Sequence, residues 1–117
     1  MISMYAIPNC DTVKKARNFL EKNKVDYEFI DFKKTPPTVT QIKKWGDFSG
    51  ELPINKKGMT YRKYKDTYEA LSGTEKIAFI IANTSLIKRP VLEKNGEVMA
   101  LGFSEEQYQE LIGLLHP

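Results

Sequence analysis

Residues 1–32 limit the fold more than any other stretch. Ile2, Met4 and Ala6 alternate with Ser3, Tyr5 and Ile7, and Pro8 closes the run. A short apolar run so bounded suits a central strand. From Thr12 to about Lys24 the period changes, with Val13, Ala16 and Leu20 at helical spacing and Phe19 at the flank. Asp26 to Phe32 reads as a second strand, built on Tyr27, Phe29, Ile30 and Phe32. Strand, helix and strand in that order form a βαβ unit, which implies parallel strands and a right-handed crossover.

The rest of the chain extends this frame. Lys33 to Pro37 is a linker, because Pro36-Pro37 forbids a helix there. Thr38 and Gln41 form a capping box for a short helix with Val39, Ile42 and Trp45 facing inward. Asp47 to Thr60 contains Gly50, Pro53, Asn55 and Gly58 and is expected to loop over the surface. Tyr61, Tyr64, Tyr68 and Leu71 then recur at helical spacing, as a core stripe rather than a ligand platform. Ser72 and Glu75 make another capping box before Ile77 to Ala82, a run apolar all round. Periodicity does not separate a buried helix from a buried strand there; the cap and Asn83 favour helix. Val91 to Lys94, Asn95-Gly96 and Glu97 to Leu101 spell a hairpin with a type I′ turn. Ser104 and Gln107 cap a last helix, with Glu105 and Glu106 in its first turn and Tyr108, Leu111, Ile112 and Leu115 as its buried stripe. The order βαβ, helices, ββα predicts an α/β, thioredoxin/glutaredoxin-like core with a mixed four-stranded sheet. It forms one domain over residues 1–117, with a helical insertion at about 38–85.

Composition narrows the function. With 117 residues the chain can bury an ordinary core without disulfides or metal. It has one cysteine, and its single histidine, His116, lies in the tail, so neither an internal disulfide nor a structural zinc site is expected. No signal peptide and no membrane-length apolar run is present, which predicts a cytoplasmic, reduced protein. Net charge is +3, split unevenly: +7 over residues 1–65 and −4 over residues 66–117. The basic half is either a solvated lysine surface or a field that steers anions. The lysines come as scattered pairs with no binding motif, so direct nucleic-acid binding is not expected. Nucleotide fingerprints, a Ser-His-Asp triad and paired glycosidase carboxylates are missing. Nothing in the sequence demands more than a monomer.

Chemistry concentrates at Ile7-Pro8-Asn9-Cys10-Asp11-Thr12. Free cysteine is often simply a small buried hydrophobe. Here Cys10 stands where a strand gives way to a helix, and the first turn of a helix offers unpaired N–H groups to a negative charge. A free thiol with a pKa of about 8.5 is only about 3% thiolate at pH 7. A helix N-terminus and nearby cations lower that pKa and make thiolate a major species. Lys14 and Arg17 share the cysteine's helix face and are candidates to assist; the Asp11 carboxylate works the other way. Position 13 is Val, so there is no Cys-x-x-Cys pair, and a resolving thiol must come from outside. Arg89, just before Pro90, and Arg62, after the irregular loop, are each either surface arginines or oxyanion-binding forks. Asn9 and the Asp11 and Thr12 backbone N–H groups are expected to steady the sulfur.

These residues resemble the arsenate reductase (ArsC) family, in its Spx/MgsR/YffB branch, and most of all YffB-like arsenate reductase-related proteins. The matching pieces are Tyr5 to Arg17 around Asn9-Cys10-Asp11-Thr12, Asn55 to Lys63, Leu86 to Leu92 with Ile87-Lys88-Arg89-Pro90, and Leu101 to Ser104. The resemblance implies a catalytic Cys10, oxyanion-binding Arg89 and Arg62, and a cis peptide before Pro90. It implies a thiol oxidoreductase with no bound cofactor, using glutathione as co-substrate, with glutathione, another small thiol or glutaredoxin as partner. Two departures matter. Arsenate reductases of the family carry a further arginine after the second hairpin strand, where this chain has Leu101-Gly102-Phe103-Ser104, which puts arsenate in doubt as substrate. Spx-type regulators carry Cys-x-x-Cys, which this chain lacks. The alternative reading is therefore a binding module without a redox switch, docking on the C-terminal domain of the RNA polymerase α-subunit. Glutaredoxin-coupled arsenate reduction is the other alternative.

Overall fold

The computed structural model describes residues 1–115 of the chain, apart from the side chain of Leu115. Two compact units are present: residues 1–31 with Arg89 onward, and Phe32–Lys88. The first holds strand β1 (Ile2–Ala6), helix α1 (Asp11–Lys22), strand β2 (Tyr27–Asp31), a hairpin of β3 (Val91–Lys94) and β4 (Glu97–Leu101), and a last helix over Glu105–Leu115. The second holds α2 (Val39–Ser49), α3 (Met59–Glu69), α4 (Gly73–Ala82) and a 3-10 turn at Thr84–Leu86. The last helix is therefore α5.

In the first unit the sheet order is β2-β1-β3-β4. β1 and β2 are parallel, while β1–β3 and β3–β4 are antiparallel. This is the mixed sheet of a thioredoxin/glutaredoxin-like α/β fold. Ile2, Met4 and Ala6 of β1 lie buried with Val13, Ala16 and Leu20 of α1, Leu92, Ala100 and Tyr108. The two periods of the sequence thus meet in one core: every second residue of a strand against one stripe of a helix. Helix α1 ends at Lys22, two residues short of the expected Lys24. Lys24 takes a left-handed φ of 57°, and the Val25 N–H returns to the Leu20 carbonyl at 2.9 Å, closing the helix. At the hairpin, Asn95 (φ 52°) and Gly96 (φ 84°) both occupy the positive-φ region a type I′ turn requires. Both hairpin strands have the expected bounds. In α5, Tyr108 is buried and Leu111 and Ile112 are half-buried; the side chain of Leu115, and His116, lie outside the described residues.

The second unit begins with the expected capping box: the Gln41 N–H donates to Thr38 Oγ1 at 3.1 Å, and the Thr38 N–H donates to Gln41 Oε1 at 2.9 Å. Ile42 and Trp45 are buried, but Val39 is 48% exposed, because the first turn of α2 faces solvent. The stretch Asp47 to Thr60 is less irregular than expected. α2 continues through Phe48 to Ser49 and stops at Gly50, whose φ of 84° forms a left-handed cap. Pro53 and Ile54 are buried rather than looped over the surface. Ile54 forms an antiparallel bridge with Ile87, the Asn55 N–H donates to the Leu86 carbonyl (2.8 Å) and the Lys88 N–H to the Pro53 carbonyl (2.9 Å). Tyr61 and Tyr68 of α3 are buried, with Tyr64 and Leu71 half-buried. Edge-to-face contacts join Tyr61 to Tyr68 (6.3 Å) and Tyr64 to Phe79 (5.5 Å), which makes the tyrosine stripe packing material. Ile77 to Ala82 is helical, entered through the Ser72–Glu75 capping box, although Ala78 and Ala82 are exposed.

Candidate active site

Cys10 follows β1 and is the N-cap residue of α1. Its backbone is extended (φ −127°, ψ 129°), and its carbonyl accepts the first helical hydrogen bond, from Lys14 N–H at 2.9 Å. The side chain is half-buried. An N-cap side chain normally accepts from the N–H groups of the first turn. The sulfur makes no capping hydrogen bond, and the first-turn amides act on it through their partial positive charge. Partial burial pushes the thiol pKa up. That effect is outweighed by the Val13 N–H, the charge and hydrogen bond of the Arg89 guanidinium, and the Thr12 N–H, so the pKa lies below its ordinary value. Thiolate is the form that attacks disulfides and other oxidised sulfur.

The structure therefore brings Cys10, Thr12 and Arg89 together. The amide of Val13 joins them; the sequence marked this residue only as core, though any N-cap sulfur faces the amides two and three residues on. Asn9 and Asp11 flank the turn as exposed residues. Arg17, a candidate to assist the thiol, is engaged elsewhere. Its Nε donates to Tyr27 Oη at 2.9 Å and its guanidinium lies 4.3 Å from the centre of the Phe29 ring. The Tyr27 hydroxyl in turn donates to Glu21 Oε2 at 3.0 Å. Arg17 is thus part of the α1–β2 surface, and the cation acting on the sulfur is Arg89. Lys14 is exposed. Arg62 is an exposed residue of α3 in the second unit, with its backbone N–H on the Gly58 carbonyl at 3.2 Å. Pro90 is buried, and the Arg89–Pro90 peptide is cis. Among the described residues no cluster of three or more His, Cys, Asp or Glu side chains could hold a metal ion, and no helix is long and apolar enough to cross a membrane.

A family model described as "ArsC family" matches residues 5–111, which includes every residue of this site. The chain belongs to the ArsC family. An uncharacterized protein of Haemophilus influenzae is 31% identical over 113 residues, covering 93% of this chain and 96% of its own. The solved structure of a protein named YffB superposes with a TM-score of 0.82 at 33% identity, covering 96% of this chain and 99% of that one. A global transcriptional regulator Spx of Streptococcus pyogenes is 25% identical over 115 residues, covering 96% of this chain and 85% of that protein. The ArsC-family fold thus accounts for nearly the whole chain, with Cys10 and Arg89 inside the matched region.

Proposed function

We propose that this ArsC-family protein is a cytoplasmic thiol oxidoreductase that uses glutathione, with Cys10 as its nucleophile. The observation that supports the reading best is the placement of a half-buried thiol at the N-cap of α1, where the first-turn amides and the Arg89 guanidinium favour its thiolate. In the first step the Cys10 thiolate attacks the glutathione sulfur of a mixed disulfide. The Cys10–glutathione S–S bond forms, the old S–S bond breaks, and the substrate leaves as thiolate and takes a proton. A second glutathione thiolate then attacks the Cys10-bound glutathione, releasing glutathione disulfide and restoring the Cys10 thiolate. Two electrons pass from glutathione to substrate, and no second cysteine in the chain is needed, in keeping with Val13 where Cys-x-x-Cys would place one. Arg89 favours the thiolate in both its attacking and its leaving role.

Mass spectrometry of the protein after exposure to glutathione disulfide tests this directly. One glutathionyl adduct per chain, on the Cys10 peptide and removed by reduced glutathione, is the expected result. An unmodified sulfur that also fails to react with a small alkylating reagent at neutral pH would overturn the reading.

The identity with Spx over almost the whole chain favours a second reading, a module that binds the C-terminal domain of the RNA polymerase α-subunit. Joint purification with that domain, unchanged when Cys10 is blocked, would favour it. Turnover in an assay coupled to glutathione and glutaredoxin, with arsenate as oxidant, would identify arsenate as the substrate instead.

A further inference from the structure

We propose that Tyr108 is a positioning residue for the thiol site, acting through Gly102 and Pro90 on Arg89. The proposal rests on Cys10 being the nucleophile. It starts from a chain of hydrogen bonds within the first unit. The Tyr108 hydroxyl donates to the Gly102 carbonyl at 3.3 Å, and the Gly102 N–H donates to the Pro90 carbonyl at 2.9 Å. Pro90 is bonded to Arg89, whose guanidinium favours the Cys10 thiolate.

Each link has a physical reason. Proline has no N–H, so its carbonyl is the one backbone group by which Pro90 can be tied. The β3–β4 ladder ends at Val91–Leu101, one residue too early to hold it. Gly102 extends the ladder by one bond. It does so at φ 78°, a conformation that favours glycine and that turns its N–H toward β3 while its carbonyl meets α5. Tyr108 is fully buried, and burial pushes its phenol pKa far up, so its hydroxyl remains a proton donor across the working pH range. A buried carbonyl left without this donor would carry a desolvation penalty. The Tyr108 ring is held independently, edge-on to Phe103 at 4.8 Å and to Phe19 at 6.0 Å. Tyr108→Phe therefore removes the hydroxyl and keeps the packing.

The test is titration of the full chain by the ultraviolet absorbance of the Cys10 thiolate, with folding checked by circular dichroism. Arg89→Ala is expected to raise the midpoint by about one pH unit, a tenfold loss of thiolate at acidic pH. Tyr108→Phe is expected to raise it by about half a pH unit, a threefold loss. Gly102→Ala, which destabilises the same turn, moves it in the same direction and reads the relay if Tyr108→Phe fails to fold. The double variant Tyr108→Phe/Arg89→Ala titrates with Arg89→Ala alone, because Tyr108 acts only through that guanidinium. A loss of stability without a relay would leave the midpoint where it is. If Tyr108→Phe and Gly102→Ala titrate with the wild type while Arg89→Ala is raised, or if the double variant shows additive shifts, the relay is overturned and the oxidoreductase reading stands. Identical midpoints for wild type and Arg89→Ala also overturn the relay, whereas the oxidoreductase reading falls only if the wild-type sulfur fails to take up glutathione.

Discussion

Cys10→Ser is expected to abolish glutathione-dependent turnover and to leave a protein at least as stable as the wild type near neutral pH. Activity is lost because a serine hydroxyl neither ionises at pH 7 nor forms a disulfide. Stability is kept because position 10 is the N-cap of α1, with the extended backbone that capping residues adopt. Serine is among the preferred residues there, and a good cap is worth about 0.5–2 kcal/mol over a poor one. The pH dependence has a definite sign. The folded-state pKa of the sulfur is lowered, so its ionisation stabilises the wild type fully above the unfolded-state value of about 8.5. That contribution is lost as the pH falls through the lower folded-state pKa. The advantage of Cys10→Ser is therefore greatest in acid and shrinks toward alkaline pH. Urea unfolding at a series of pH values, with turnover measured in parallel, checks both halves. Retained turnover would remove Cys10 as nucleophile, whereas cellular function left intact by Cys10→Ser would favour the binding reading.

Trp45→Ala is expected to lower stability by about 3–5 kcal/mol, the usual cost of emptying a buried tryptophan site. Trp45 is fully buried and its ring centre lies 5.8 Å from that of Phe32, itself 1% exposed. Both belong to the second unit, where Ile42 completes the inner stripe of α2. Loss on this scale is a large share of the roughly 5–15 kcal/mol typical of a whole protein. Urea unfolding followed by far-ultraviolet circular dichroism reads it, since the fluorophore is gone. A fall of less than about 1 kcal/mol would mean that the indole is not what holds this unit together.

Local rules made much of this molecule readable in advance. The hairpin was legible because Asn95-Gly96 has few other uses between alternating residues, and the helices of the second unit announced themselves through Thr38–Gln41 and Ser72–Glu75. The stretch Asp47 to Thr60 is less legible, because glycine and proline read as loop-formers. In the fold Gly50 is a helix stop and Pro53 is buried beside the Ile54–Ile87 bridge, a pairing of residues far apart in sequence. The candidate site shows the same division. A cysteine at a strand-to-helix turn can be located from its neighbours. Which cation reaches it cannot, because Arg17 has the nearer sequence position and is drawn away by Tyr27 and Phe29. Arg89 stands out as a candidate before Pro90, though only the family resemblance favours it over a surface arginine, and the Tyr108–Gly102–Pro90 hydrogen bonds have no sequence signal at all.

The strand register carries one more consequence. Asp31, the last residue of β2, pairs with Ala6, while Val91, the first of β3, pairs with Tyr5, so both lie at the same end of the sheet on either side of β1. Two interstrand steps separate them, about 10 Å, a gap that about four residues can span. The chain leaves and re-enters the sheet through a single doorway. The segment between hangs from that one doorway as a cassette, while the sulfur is anchored after β1 and its guanidinium before β3.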